Sequence, residues 1–558
     1  MTDVKQLNVK PVKMLDLLNE AFTGALVIPD FQRDFVWARN QVEELLNSVI
    51  NNYFIGSILL LETSSEKFGY RLIKGVDPQK IQKISTIKYV LDGQQRLTSL
   101  FYAFFEPNVP LIDLICKFYF RADTQDIFGM EDPEDIARRL RLGKQYKEKL
   151  LEILTSIYGD VSNLPTMGIF NNKEVLNQYF GNIPNLDLKT KGHLQELFEK
   201  IQQYTIPVII LPLHTSDEDI VNIFERINRT GTPLGIFELA VARYHPQGIK
   251  LNELKQEIKN NPILEILGAE AVLKVMALLQ SREPKSKNLI GLLDTQKSKS
   301  ENQAVFYTLW KSAVTFLERA LKRMREVYGA SKIKVGKRNL DLVPYTSMLI
   351  PLAVLLHDSD KKGNTKVLFD KVDFWYWTSV FMQRYTHAVD SKSFSDVRSI
   401  QDWFEKDESP PNLSCNCEYI RGEMLKAARS SALGKGFYEL LILNGCKDLL
   451  TGQDVKITEC HIDHLFPSSK FPKANNIFNL TILDKNTNQR KKDKLPSEFI
   501  AECLESHGDN QKKFIKTLES HFISEKALEA IKGNSFDEFI QARADLFIST
   551  LKERTVVP

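Results

Sequence analysis

The residues best suited to chemistry lie near the C-terminal end of the sequence. Asp463 and His464 close a short apolar run, and Asn479 and Asn488 follow at intervals that fit a second strand and a helix. Hydrolysis of a phosphodiester needs a base for water and a divalent cation beside the leaving oxygen. His464 is the candidate base, and Asp463 is a hard oxygen ligand suited to Mg²⁺ or Mn²⁺. Asn488 can supply a second, neutral oxygen ligand, whereas Asn479 is better suited to hold the loop and orient His464.

His461 precedes this pair and is either an accessory ligand or a group that holds the Asp463 carboxylate. Adjacent residues of a strand point to opposite faces, so Asp463 and His464 share a site only if the strand ends or twists there. Pro467 is consistent with such an ending. Each of these residues alone is more typical of a turn or a surface, so it is the ordered set that indicates catalysis.

A basic run overlaps the predicted helix. Between Lys485 and Lys494 the sequence holds five basic residues and one acid. In a nuclease such a run would line the phosphate backbone of DNA, and otherwise it is a solvated helix face. The candidate DNA-binding residues are Arg490, Lys491, Lys492 and Lys494.

From about His461 to Pro496 the order of these parts resembles the HNH nuclease superfamily. The spacing from Asn488 to Pro496 is similar to that in the HNH domains of RNA-guided nucleases. The resemblance implies that His464 is the base and that Asp463 and Asn488 are the metal ligands. It also implies a ββα-metal fold, in which a strand hairpin and one helix surround the ion.

A second candidate site lies where a strand-like run, Lys88 to Leu91, meets a polar turn and a helix start. The turn reads Asp92-Gly93-Gln94-Gln95-Arg96. Free backbone N–H groups and the helix dipole favour an anion such as phosphate there. Arg96 adds a permanent positive charge, and Asp92 could hold a ribose hydroxyl or a metal ion. A plain capped turn has the same composition, so both interpretations stay open.

An earlier segment, Ala25 to Trp37, places polar residues between aromatic ones. Pro29 interrupts its apolar run, which is typical of an edge strand or an extended segment. Gln32, Arg33 and Asp34 either enter a pocket walled by aromatic residues or lie on a solvated edge.

Ile28 to Arg33 with Val36-Trp37, together with Asp92 to Arg96, resembles the ParB-like N-terminal domain of GmrSD-type and SspE-type restriction proteins. In that family the DGQQR segment belongs to a site that binds and hydrolyses a nucleotide, and the domain is proposed to sense modified phage DNA. Phe224 to Leu234 resembles a third segment of the family, or else a plain connection between helices; it contains Arg226 and Asn228. The resemblance implies nucleotide-binding roles for Gln32, Arg33, Asp92, Gly93, Gln94, Gln95 and Arg96.

Length and composition set the class of protein. A chain of 558 residues is long enough for roughly two to four domains. Its 43% hydrophobic and 26% charged residues are ordinary for a globular protein, and a net charge of +3 neither demands nor excludes nucleic acid. The six cysteines contain no CxxC pair, which favours reduced thiols. Without a signal peptide or a long apolar run, we expect a cytoplasmic protein that does not enter a membrane.

We therefore predict an α+β fold that is predominantly helical and has three parts. Residues 1–245 form a ParB-like α/β domain that binds nucleotide, and residues 416–558 form the HNH nuclease domain. Residues 246–415 form a helical connecting domain, in which the aromatic run Phe374 to Trp377 is expected to be core. Within it, Lys332 to Arg338 is expected to be a basic, solvated loop.

The predicted function is an antiviral DNA endonuclease that nicks modified or phage DNA under the control of a nucleoside triphosphate. Its cofactors would be Mg²⁺ or Mn²⁺ and the nucleotide, its partner would be DNA, and homo-oligomerisation stays open. Two other functions are also open. One is a nucleotide-regulated DNA-binding sensor with an inactive HNH site, and the other is a hydrolase active only in the N-terminal domain.

Overall fold

The computed structural model describes most of the chain as two compact units, residues 1–254 and 255–558. The predicted segment from Phe224 to Leu234, with Arg226 and Asn228, lies outside the described residues. Among the described residues, no helix is long and apolar enough to cross a membrane. The description covers residues 8–558 apart from 65–67, 79–85, 112–114, 132–148, 150–151, 154–163, 212–214, 216–222, 224–234, 295, 337, 407–408, 411 and 509.

The first unit is an α/β domain. Its strands are β1 (Asn8–Lys13), β2 (Leu26–Pro29), β3 (Ile58–Thr63), β4 (Tyr70–Arg71), β5 (Ile87–Asp92), β6 (Cys116–Arg121), β7 (Asp126–Glu131) and β8 (Thr205–Leu211). Its helices are α1 (Met14–Phe22), α2 (Arg39–Ile50), α3 (Gln94–Phe105), α4 (Lys173–Asn182), α5 (Leu188–Gln203) and α6 (Ile236–Tyr244), and α7 (Leu251–Glu257) begins at its end.

A mixed six-stranded sheet, in the order β1-β8-β3-β5-β2-β4, forms the centre of this unit. β5 lies between β3, with which it is antiparallel, and β2, with which it is parallel. Its residues Tyr89, Val90 and Leu91 are buried, because both faces of the strand are covered. β5 ends at Asp92 and α3 begins at Gln94, so the predicted nucleotide turn lies at the C-terminal end of this inner strand.

The second unit is mainly helical and contains four short strands. These are β9 (Lys332–Val335), β10 (Arg338–Asp341), β11 (His461–His464) and β12 (Leu480–Leu483). The helices are α8 (Pro262–Leu267), α9 (Glu270–Leu279), α10 (Ser286–Leu289), α11 (Lys299–Glu326), α12 (Leu349–Lys361), α13 (Lys366–Phe381), α14 (Val389–Lys406), α15 (Cys417–Met424), α16 (Ala432–Leu443), α17 (Lys485–Lys491), α18 (Pro496–Ser506), α19 (Gln511–Glu519), α20 (Glu525–Lys532) and α21 (Phe536–Arg554). The predicted α+β, predominantly helical fold is confirmed.

Aromatic residues of α13 lie in the core of this unit, as expected for the run from Phe374 to Trp377. Tyr376 stacks on Tyr328 with ring centroids 3.8 Å apart. Its hydroxyl contacts the carboxyl group of Glu439 on α16, 2.9 and 3.0 Å from the two oxygens. Burial raises the pKa of Glu439 well above its usual value, and the tyrosine hydrogen bond only partly offsets this.

The four strands of the second unit form one sheet in the order β10-β9-β11-β12. Lys332 to Arg338 was predicted to be a basic loop with a solvated face; Lys332 and Arg338 are exposed, but the prediction of a loop is wrong. The segment lies in the β9–β10 hairpin, and β9 pairs in parallel with β11. The physical reason is Ile333, which is 1% exposed and anchors β9 on the core face of the sheet. Because basic residues surround Ile333, the composition of the segment does not indicate that this position is buried.

Candidate active site

The pair Asp463 and His464 lies at the end of β11, in an antiparallel hairpin with β12. Asp463 is opposite Thr481, and His464 is opposite Leu480. The backbone N–H of His464 donates to Asp463 Oδ1 at 2.8 Å, and the His464 Nδ1 atom is 3.4 Å from the same oxygen. Because the strand ends here, the backbone and the ring of His464 can both lie next to the carboxylate of Asp463, although adjacent strand residues point to opposite faces.

The Asp463 carboxylate is kept ionised by its neighbours. Burial raises the pKa of Asp463, but the hydrogen bonds from His464 and the positive charge of Lys491 together bring it below its usual range. The carboxylate at Nδ1 favours a proton on that nitrogen, which leaves Nε2 of His464 as the basic nitrogen. Nε2 lies 3.1 Å from the side-chain oxygen atom of Asn475, and an unprotonated Nε2 can accept a hydrogen bond from the NH2 group of that amide when the amide is rotated by 180°. Sequence reasoning missed Asn475, because a single Asn in a polar loop carries no motif.

Asn479 is fully buried, and its amide is used to hold the loop between the two strands. Its Oδ1 accepts the N–H of Phe466 at 2.8 Å. Its Nδ2 donates to the carbonyls of Phe466 and Ala474, both at 2.9 Å. These contacts favour the loop-holding interpretation over direct chemistry, since Phe466 is only two residues beyond His464.

Asn488 lies on α17, which contacts β11. Its Oδ1 atom is buried and accepts no hydrogen bond from the residues that the structure describes. A buried carbonyl left in this state costs roughly 1–3 kcal/mol unless a ligand or water satisfies it. Lys491, one turn later, lies on the same helix face and interacts electrostatically with Asp463. Asn488, with its unsatisfied oxygen, therefore lies on the helix that contacts the strand of Asp463, one turn before a lysine that acts on that carboxylate.

The four predicted DNA-binding residues do not form one exposed row. Arg490 and Lys494 both donate to Glu502 on α18. Lys491 is 1% exposed and donates to the carbonyl of Lys492 at 3.0 Å, and burial lowers its pKa. Lys492 is exposed. Lys491 is therefore not part of an exposed basic face, and DNA binding by the four residues stays a prediction.

His461 begins β11 and lies two residues before Asp463 on the same strand face. In the part of the chain that the structure describes, no hydrogen bond joins its ring to Asp463. It pairs with Leu483 on one side and with Lys334 of β9 on the other. The structure thus brings His461 into the site without assigning it a contact with the carboxylate.

The hairpin is supported from behind by a buried arginine that sequence reasoning also missed. Arg543 of α21 is fully buried and donates to the carbonyls of Phe478 and Leu480 at 2.6 and 2.9 Å. It also donates to the carbonyl of His521 at 3.0 Å, and the His521 ring is 2.7 Å from the hydroxyl of Thr481. Arg543 therefore fixes the backbone of β12 opposite Asp463, although it lies far from the motif in sequence.

In the first unit, the predicted nucleotide turn has the expected strand-turn-helix geometry. Gly93 precedes α3 with φ of +93°, and a Cβ there would lie 2.8 Å from the Cδ1 atom of Ile58. Gly93 has no side chain with which to cap this helix, and among the described residues no side-chain cap satisfies its first N–H groups, which are the groups that bind an anion at a helix start. Arg96 is held by Asp92 at 3.2 Å and by the carbonyl of Ile55 at 2.8 Å.

The three glutamines of the predicted site connect two backbone segments. Gln32 donates to the carbonyls of Val90 and Leu91 at the end of β5. Gln94 donates to the Arg33 carbonyl at 2.9 Å. Gln95 donates to the carbonyl of Asp34 at 3.1 Å and accepts the N–H of Val36 at 2.9 Å. Their amides thus position the backbone around the turn, and Arg33, half-buried, lies at that junction.

The same unit contains a cavity of about 470 Å³. Its lining includes Asp30, Tyr70, His245 and Asn252. Asn252 donates to the Asp30 carbonyl at 3.0 Å, and the Asp30 N–H donates to Gly69 at 2.8 Å. A Cβ on Gly69 would be 2.5 Å from Asp30 Oδ2 and 3.2 Å from His245 Nε2, so both side chains converge there.

Comparison with known proteins identifies two domains in the chain. The family model of the GmrSD restriction endonuclease N-terminal domain matches residues 14–245, and a model of HNH endonucleases matches residues 448–497. The uncharacterized protein MJ0686 of Methanocaldococcus jannaschii is 28% identical over 598 aligned positions, which cover 97% of this chain and 98% of that protein. The first match contains the turn from Asp92 to Arg96, and the second contains Asp463 to Asn488. The chain therefore has a GmrSD-type N-terminal domain and a C-terminal HNH endonuclease domain.

Proposed function

We propose that this chain is a metal-dependent DNA endonuclease that nicks modified or phage DNA and responds to a nucleoside triphosphate. One observation carries the nuclease assignment. The ring of His464 and the ionised carboxylate of Asp463 lie together at the end of β11, and α17, which contacts that strand, carries the unsatisfied oxygen of Asn488.

The donor set fits a hard divalent cation. Within the described residues, no group of three or more His, Cys, Asp or Glu side chains could hold a metal ion, which argues against an all-protein cage. Mg²⁺ typically takes one or two protein oxygens and keeps several waters. Asp463 and Asn488 would hold it, with His461 nearby, and the cation would stabilise the charge that develops on the phosphate and leaving oxygen.

Side chains of the site would provide the proton acceptor, its orientation and the balancing charge. His464 would accept the proton of the attacking water at Nε2, while Asp463 keeps the ring oriented through Nδ1. Asn475 and Asn479 position this ring and its loop. Lys491 places a buried amino group beside Asp463, where it offsets the carboxylate charge.

The nucleotide site is proposed on separate geometry. The start of α3 offers N–H groups to a phosphate, and Arg96 lies in the first turn of the same helix. The cavity beside Asp30 and His245 has room for a base or a sugar. Binding there would favour one arrangement of the protein over another and so control cleavage.

Incubation of the purified chain with supercoiled plasmid tests the nuclease assignment. With Mg²⁺ we expect open circles to appear before linear molecules, because one HNH motif per chain cuts one strand in each binding event. Chelation of the metal should stop the reaction. DNA binding without cleavage, under all metal conditions, would instead favour the sensor with an inactive HNH site. Phosphate release from nucleotide without DNA damage would favour a hydrolase confined to the N-terminal domain.

A further inference from the structure

We propose that the β9–β10 hairpin is a DNA-backbone-binding extension of the nuclease sheet, with Lys332 and Lys334 as its phosphate contacts. This inference rests on the proposed nuclease function, since it names where the DNA continues beyond the catalytic pair. The hairpin lies more than a hundred residues before the HNH segment in sequence, and only the fold brings the two together.

The register places these lysines on the face that carries the site. Lys334 is the direct partner of His461, and its N–H donates to the Cys460 carbonyl at 3.2 Å. Paired residues of neighbouring strands project from one face, and so do alternate residues of one strand. Lys332 and Lys334 therefore share a face with His461 and Asp463. Ile333, between the two lysines, points to the buried face.

The separation suits a neighbouring phosphate. Strands lie about 4.8 Å apart, and alternate residues of a strand are about 6.7 Å apart. The Cα atoms of Lys334 and Asp463, one strand and two residues apart, are then separated by roughly 8 Å. Because each nucleotide advances a DNA strand by about 3.4 Å, this corresponds to roughly two nucleotides from the scissile phosphate.

The lysine charges stay available to an anion. In the described part of the chain, neither Lys332 nor Lys334 belongs to an ion pair within 4.0 Å. The acid opposite Lys332 is Asp341, whose two oxygens bind Arg325 at 2.7 and 2.6 Å. Lys334 also interacts electrostatically with Glu459, but the main partner of Glu459 is Lys456.

The hairpin is also held in place before DNA arrives. The N–H of Leu342 donates to the Ser331 carbonyl at 3.0 Å and closes its base. The Arg325–Asp341 pair and the buried Ile333 fix its two strands. A preformed contact loses less entropy on binding than a mobile one. The hairpin thus supplies positive charge for DNA. The basic residues between Lys485 and Lys494 supply it only in part, because several of them are buried or paired.

DNA binding by the full chain carrying His464→Ala, which binds without cutting, tests the proposal. In this background Lys332→Gln/Lys334→Gln is compared with Lys297→Gln/Lys299→Gln. The control removes the same charge from exposed lysines at the far end of α11, a helix of 28 residues and about 42 Å. Fluorescence anisotropy with a 30-base-pair duplex is measured from about 50 to 200 mM salt.

We expect the hairpin variant to bind about tenfold or more weakly at 0.1 M salt, with the slope of log K against log salt shallower by about 1 to 2. The control pair and the charge-retaining Lys332→Arg/Lys334→Arg variant should keep the parental slope. Coincident slopes for the hairpin variant and its parent overturn the hairpin assignment, as does an equal loss in the control. If the parent chain binds no DNA at any salt concentration, the proposed function fails as well.

Discussion

Asp463 Oδ1 accepts the backbone N–H of His464 at 2.8 Å and lies 3.4 Å from the ring Nδ1 of that same residue. One oxygen thus orients both the backbone and the base, and the second carboxylate oxygen can face a cation. In the proposed mechanism, different atoms of the Asp463 side chain would therefore orient the base and bind the cation.

The base is tested by His464→Ala. We expect DNA nicking to fall by about 10²- to 10⁴-fold, because the substitution removes the proton acceptor. DNA affinity and thermal unfolding should stay close to wild type, since His464 ends a strand and does not belong to the core. Nicking at the wild-type rate by the purified variant would contradict the assignment.

The metal ligand is tested by Asn488→Ala, with the exposed Asn486→Ala on the same helix as control. Mg²⁺ should raise the melting temperature of the wild type and of the control by mass action, and this rise should be lost in Asn488→Ala. Without metal, Asn488→Ala should be close to neutral, because its Oδ1 accepts no hydrogen bond from the described residues. An undiminished Mg²⁺ effect in Asn488→Ala would exclude it as a ligand.

The loop-holding role of Asn479 predicts a stability effect. Asn479→Ala leaves three buried backbone groups without a partner, so we expect a loss of about 1–3 kcal/mol or more in unfolding by urea. Asn475→Ala, which removes an exposed amide at the His464 ring, should slow nicking with little effect on unfolding. The opposite pattern, a stable Asn479→Ala chain with slow chemistry, would argue for a direct catalytic role.

The nucleotide site is tested by Arg96→Ala, with Arg39→Ala as an exposed arginine control in the same unit. Loss of a charge-assisted phosphate contact should weaken triphosphate binding in calorimetry. If the site controls cleavage, a coupling of about 1–3 kcal/mol would change nicking roughly 5- to 150-fold with nucleotide, in either direction. Flat, superimposed curves of nicking rate against nucleotide for wild type and Arg96→Ala would show that the two sites act independently.

The buried carboxyl of Glu439 predicts a pH dependence of stability. Its raised pKa keeps it protonated in the folded chain, while the unfolded chain ionises near pH 4.3. The unfolded state then binds fewer protons, so this group lowers stability as pH rises, by at most about 1.4 kcal/mol per pH unit. Glu439→Gln should therefore be increasingly more stable than wild type from pH 5 to pH 8 in urea unfolding. Glu418→Gln, an exposed control, should follow wild type; parallel curves for Glu439→Gln would contradict the prediction.

Local motifs made part of the candidate site predictable. The order of Asp463, His464, Asn479 and Asn488 is short-range, and a hairpin followed by a helix brings such residues together by itself. The start of α3 was predictable for the same reason, because Gly93 and the apolar strand before it are local signals. The catalytic and ligand roles of these residues stay predictions.

Contacts between distant segments were not predictable from these motifs. Gln94 and Gln95 read as polar residues of a binding turn, but their amides bind the backbone of Arg33 to Val36, about sixty residues earlier. Arg543 looks like one charge on a terminal helix, and only the packing of α21 shows it beneath β12. Such roles depend on tertiary neighbours, which periodicity and local propensity do not contain.

The strand β9 also affects whether the HNH domain can be expressed as a separate fragment. A fragment beginning at residue 416 would retain the whole HNH motif but lose the strand that pairs with β11. The side of β11 next to Lys334 would then be an open sheet edge, which invites pairing between molecules. Aggregation of such a fragment would therefore result from the loss of β9 and not from a defect in the HNH motif. Transfer of the HNH domain to another protein would therefore have to include the preceding helical segment that contains β9.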